Sequence, residues 1–237
     1  MPNDLAQHLE DIRQKRGYLL PHHGLMAVSM PQILAAYDAL YTELTLTDRV
    51  LTKHQHEFAW MAILIACKEA LGTHHVRRYF DAGGTNDELE ALSALVAYVA
   101  GGSSHSFMGE HWQPHLPDFA PRERYLTSFA KLASDVPLWL AHISAAAICT
   151  CFGDWERLRW HIVASYESDA AENALAEALS LTMFPGGVPN FVDATGVWRD
   201  VVSAGEVNAS PNYRVWAEMT GQGGFDEASG VGPGTAT

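Results

Sequence analysis

The sequence predicts an all-α protein, and three observations carry that reading. No segment alternates apolar and polar residues for long enough to form a strand. Apolar residues instead recur at helical spacing, as in QILAAYDALYTEL (32–44) and AENALAEALSLTMF (171–184). Helix punctuation brackets such runs: Thr85 has Glu88 three residues on, and Pro31 follows Ser29 as a first-turn proline follows a cap.

Taken in order, residues 5–16 (LAQHLEDIRQKR) form a helix of mixed charge, and GYLLPHHG (17–24) is an irregular connector. A helix starts at Pro31. Thr47-Asp48 caps the next, which carries the apolar run HEFAWMAILIAC and extends to about Leu71. His74-His75 open a further helix that stops at Gly83-Gly84. Thr85 starts another, and a short helix lies near Phe107 to Trp112. HWQPHLPDFAP (111–121) holds three prolines and marks a boundary. Helices then follow over RERYLTSFAKLASDVP, after Pro137, over WERLRWHIVASYE, over AENALAEALSLTMF, over FVDATGVWRDVVSAG and near Pro211. The Gly-rich end from 221 to 237 lacks periodicity and is expected to be a flexible tail.

Shifting the sequence by 86 residues superposes His56 on His142, His75 on His161, Gly101 on Gly187 and Trp112 on Trp198. The expected organisation is therefore a tandem pair of helical units, 1–112 and 113–220. Pro31 lies 44 residues before His75 but Pro137 only 24 before His161, so the second unit is expected to be shorter by a helix.

The formal net charge of −13 and the scatter of only 15 Lys and Arg argue against nucleic acid as a partner. The longest apolar run, Phe58–Cys67, is too short to cross a bilayer, and the N-terminus has no apolar core for a signal peptide. No membrane partner is expected. Cys67, Cys149 and Cys151 make no even framework, which points to reduced thiols and a cytoplasmic location.

Glu57 stands in an otherwise apolar helix, where burial raises a carboxyl pKa and suits it to acid/base work. His75 and His161 occupy matching helix starts, where an imidazole stays neutral and accepts a proton. These three are the candidate catalytic residues. Arg77 and Arg78 are candidates to orient an anionic substrate, with Trp112 and Trp198 as aromatic substrate contacts. His54, His56, His74, His75, His105 and His111 enrich the first half in histidine, but no pair has the HExxH register. No metal and no cofactor are expected. A partner thiol for Cys67 at redox spacing is absent, since Ala70 stands there. Glu57 and His75 are 18 residues apart, which spans roughly 22 Å of rising helix before the chain reverses. Within one chain, His75 is then expected near Cys67, and contact with Glu57 requires a kink or a neighbouring subunit.

Glu57, His75, the turn Ala82-Gly83-Gly84-Thr85, the run Asp87-Glu88-Leu89-Glu90 and Tyr98–Gly101 resemble the carboxymuconolactone decarboxylase and AhpD-like superfamily. Trp155–Ile162 and the turn from Phe184 to Pro189 resemble the same family. The resemblance covers about residues 17–205. It implies tandem AhpD-like helical bundle units and a homo-oligomer, with sites near subunit interfaces. It also implies a lyase or isomerase working without a cofactor on a small carboxylated or lactone-like molecule; the alternatives are an AhpD-like thiol peroxidase and a degenerate, non-catalytic ligand-binding protein. The CxxCxxxH of the family's thiol-peroxidase branch is absent, which argues against thiol redox activity.

Overall fold

The computed structural model describes residues 2–224 and Ser229, and among them the regular structure is entirely helical, without a strand. The fold class is therefore all-α. The tail expected at 221–237 falls mostly outside the described residues. The chain forms two compact units that divide between Asp48 and Arg49. The proline-rich stretch 111–121 lies inside the larger unit, because helices from either side of it share one core.

The smaller unit holds α1 (Pro2–Arg16), α2 (Pro21–Ser29) and α3 (Pro31–Thr45). The connector expected at 17–24 is irregular only to Leu20. Pro21 sits at the first turn of α2, and the Leu20 N–H donates to His23 Nδ1 at 3.2 Å, so the imidazole closes the helix end that the sequence left uncapped. Arg16 ties α1 to both other helices. It pairs with Asp38, touches His23 Nε2 at 3.2 Å and lies over the Tyr37 and Tyr41 rings.

The larger unit contains α4 (Lys53–Cys67), α5 (Thr73–Asp81), α6 (Asn86–Gly101), α7 (Ser103–Trp112), α8 (Pro121–Leu132), α9 (Leu138–Phe152), α10 (Trp155–Glu167), α11 (Glu172–Ser180), α12 (Val188–Ser203) and α13 (Pro211–Glu218). α4 and α9 form its centre. Both are apolar nearly all round, as helices enclosed by neighbours must be. α5 and α6 pack on α4, while α10, α11 and α12 pack on α9. One core joins Leu51, Phe58, Ala62, Ile143, Leu158 and Ile162 to Val201 and Ala217. α8 lies between the proline-rich stretch and α9.

The start of α4 differs from expectation. Its cap is Thr52, not Thr47-Asp48: the Gln55 N–H donates to Thr52 Oγ1 (3.3 Å) and the Thr52 N–H to Gln55 Oε1 (3.0 Å). Residues 46–52 stay outside the helix, with the N–H groups of Val50 and Leu51 held at 2.9 and 3.0 Å by the Glu177 carboxylate. The expected Thr85–Glu88 capping box is present, with bonds of 3.1 and 3.2 Å.

Candidate active site

α4 ends at Cys67, four residues short of the Leu71 expected. Lys68 takes a left-handed conformation (φ 55°), and the Glu69 N–H returns to the Leu64 carbonyl at 2.9 Å. The chain then runs back along the helix it has just left. Gly72 rests on Leu64, so close that a Cβ there would lie 2.7 Å from the Leu64 side chain. His75 stacks on Trp60 with ring centroids 4.5 Å apart, and Tyr79 comes to 5.6 Å from His54. Each step along 72–79 retreats about one turn of α4.

This retracing puts His75 Nδ1 at 2.8 Å from Glu57 Oε2, inside one chain. The expectation that His75 would lie by Cys67, with Glu57 reached only through a kink or a partner subunit, is therefore overturned. α4 stops at Cys67, the turn from Lys68 to Gly72 brings the chain back to the level of Leu64, and the first turn of α5 brings His75 back to Trp60, one turn from Glu57.

Both partners are buried, Glu57 at 5% exposure and His75 at 2%. Burial pushes the Glu57 carboxyl up to about 7 against the pull of neighbouring cationic groups, and pushes the His75 imidazole down to about 3. The two effects agree: the pair resists ionising and shares one proton near neutrality. The other His75 nitrogen, Nε2, makes no hydrogen bond among the described residues. Arg78, one turn further along α5, adds positive charge near both groups, and its Nη1 is buried without a hydrogen-bond partner. Arg77 instead faces solvent and pairs with Asp81 at 3.6 Å.

Behind the pair lies a second relay that sequence reasoning missed. Trp60 Nε1–H donates to His56 Nε2 at 3.1 Å, so that nitrogen carries a lone pair. His56 Nδ1 then holds the proton and donates it to Glu177 Oε1 at 2.9 Å. Glu177 thus fixes the tautomer of His56, which fixes the Trp60 ring that backs His75. The sequence signal was slight: Glu177 is one of two glutamates in an alanine-rich run.

His161 is fully buried in α10. Its Nε2 meets the Tyr125 hydroxyl at 2.9 Å and its Nδ1 meets His142 Nδ1 at 3.0 Å. Burial holds His142 down to about 4 and lowers His161 as well, so this is a neutral chain of three groups. Its contacts include no carboxylate. Trp112 is half-exposed against Phe107 at the end of α7. Trp198 is buried, donates to the Tyr166 hydroxyl at 3.1 Å and stacks on Tyr213.

Cys67 and Cys151, from the ends of α4 and α9, pack against the same small apolar cluster, which no local spacing foretells. Among the described residues, no group of three or more His, Cys, Asp or Glu converges to hold a metal ion. No described helix is long and apolar enough to cross a membrane. Comparison with family models, curated proteins and solved structures finds no match.

Proposed function

We propose that the chain is a lyase or isomerase of the carboxymuconolactone decarboxylase and AhpD-like type. It acts, without a cofactor, on a small carboxylated or lactone-like molecule. The observation that carries this reading is the Glu57–His75 contact. When Glu57 is ionised, His75 holds its proton on Nδ1 and Nε2 is a base. When Glu57 is protonated, it donates to Nδ1, and Nε2–H is an acid. A proton taken from substrate at Nε2 passes in effect to Glu57, with Nδ1–H moving across the 2.8 Å contact. A carboxyl that titrates near 7 suits both directions of that transfer. Arg78 supplies the positive charge that an anionic substrate or enolate-like intermediate needs, since a surface of net charge −13 repels it.

The tandem organisation belongs to this reading. It is supported by helix bounds 86 residues apart, at the ends of α5 and α10 (81 and 167) and the starts of α6 and α11 (86 and 172). Only the first site pairs its histidine with a carboxylate, and the chemistry is assigned to it. A homo-oligomer in the cytoplasm completes the reading. The exposed Leu25, Val28, Ile33 and Leu40 of α2 and α3, with Met30 between the two helices, support association.

The test is incubation with a panel of unsaturated lactones and β-keto acids in deuterated water, following carbon dioxide release, lactone isomerisation and deuterium at the α-carbon. His75→Ala and Glu57→Gln are expected to abolish turnover that the wild type shows. Turnover unchanged in both variants overturns the assignment.

A further inference from the structure

Trp198 lies on α12, not on the α4–α5 pair that carries Glu57 and His75. It belongs to a wall of rings. Tyr213 stacks on it with centroids 5.0 Å apart, and Trp216 meets it edge-on at 5.6 Å and 68°. Tyr213 and Trp216 are themselves nearly perpendicular, at 86°. With Phe191 and Leu179 these rings line a cavity of about 250 Å³ between α11, α12 and α13, at the small end of ligand pockets. Trp198 is buried, whereas Phe191, Tyr213 and Trp216 are half-buried, so the cavity reaches solvent past them.

Three polar groups of this wall are engaged elsewhere. The Thr195 hydroxyl donates to the Val192 carbonyl of its own helix at 2.7 Å, and the Tyr213 hydroxyl donates to Asn173 Oδ1 at 2.9 Å. The Trp198 indole N–H donates to the Tyr166 hydroxyl at 3.1 Å, which in turn donates to Glu172 Oε1 at 2.8 Å. Among the described residues, no Lys, Arg, Asp or Glu lines the cavity, and Arg214 of α13 bonds instead to the Ala209 carbonyl at 2.5 Å. An anion therefore finds no cationic partner there. What the cavity offers is ring surface, whose faces are electrostatically negative, with a carboxylate behind Trp198 at the end of the Tyr166 link.

We propose that this cavity binds a small quaternary ammonium ion of the choline class. The methyl groups of such an ion spread its charge over the ring faces and need no hydrogen-bond acceptor. A primary ammonium carries three N–H donors, and the wall has no carboxylate to take them. The net charge of −13 draws a cation toward the chain. The site is built on α11, α12 and α13 alone and does not rest on the chemistry assigned to Glu57 and His75.

The experiment titrates the folded full-length chain with choline in an isothermal calorimeter. Two matched probes follow: ethanolamine, which carries a primary ammonium, and the neutral alcohol in which a tert-butyl group replaces trimethylammonium. Choline is expected to bind saturably. Each matched probe should be weaker by roughly tenfold, the ratio that cation–π attraction supplies in a partly desolvated site. Trp216→Leu should weaken choline binding by about the same factor. Trp112→Leu, at the exposed end of α7, should bind as the wild type does. The ranking of probes on the wild type needs no variant to fold, and no readout depends on the proposed lyase activity. Absence of saturable choline binding, equal affinity for either matched probe, or unchanged affinity in Trp216→Leu would each overturn the proposal.

Discussion

His75 Nδ1 and Glu57 Oε2 meet at 2.8 Å across the groove between α4 and α5, although a helix end and a reversal separate them in the chain. That one contact decides how the site behaves. A lone buried carboxyl would only be costly, and a lone buried imidazole would only be neutral. Together they hold one proton in two positions.

The proton can be located directly. In carbon-13 spectra of glutamate-labelled protein, one carboxyl is expected to titrate near pH 7, pushed up from the ordinary glutamate value by burial. Glu57→Gln should remove that resonance's transition. His75 should show no protonation above pH 5, since burial holds it down to about 3. A Glu57 carboxyl titrating in the ordinary range would sink the shared-proton description.

Glu177 is expected to matter for stability more than its place in an alanine-rich helix suggests. It accepts from two backbone N–H groups and from His56. Glu177→Gln can keep the backbone bonds, but its NH₂ then faces the His56 Nδ1–H. His56 cannot escape by moving that proton to Nε2, because Trp60 already donates there. One buried donor is left facing another, a cost of about 1–3 kcal/mol. Urea unfolding at pH 7.5 measures it, and a loss no larger than that of an exposed Glu90→Gln control would refute the relay.

The cap at Thr85 supplies a local check. Thr85→Ala removes the acceptor for the Glu88 N–H and one side of the box that Tyr79 and His54 extend through Glu88. The expected loss is about 1 kcal/mol in the same denaturation series. No measurable loss would mean that Glu88 alone organises this turn.

The parts that the sequence revealed are those governed by neighbours in the chain. The Thr85–Glu88 box, the α10 span and the helices after Pro31, Pro137 and Pro211 follow from residues a turn apart. The stop at Cys67 was hidden, because Lys68 in a left-handed turn carries no glycine signature. That hidden stop is why the Glu57–His75 contact was misjudged, even though both residues were singled out. The link from Glu177 to His56 was out of reach for another reason. It joins elements distant in sequence, and only the packing of α11 against α4 brings them together.

Stability should fall as the solution is acidified from pH 6.5 to 4.5, and the sign follows from opposed shifts. His75, His142 and His161 are buried and held below their ordinary 6.5, His75 at about 3, His142 at about 4 and His161 in the same direction by burial. Their contribution is present above pH 6.5 and is lost as pH falls through the folded values, because the unfolded chain binds protons that the folded chain refuses. Glu57 acts the other way. Its folded value of about 7 lies above the ordinary 4.5, so its contribution is full below 4.5 and lost as pH rises through 7. Three imidazoles outweigh one carboxyl. Glu57→Gln removes the opposing contribution, so the variant should lose stability more steeply than the wild type on acidification. The advantage of wild type over variant should shrink as pH rises from 4.5 to 7 and then level off. Urea midpoints at pH 4.5, 5.5, 6.5 and 8 measure both slopes. Parallel curves for the two proteins would show that Glu57 ionises in the folded chain as it does in water.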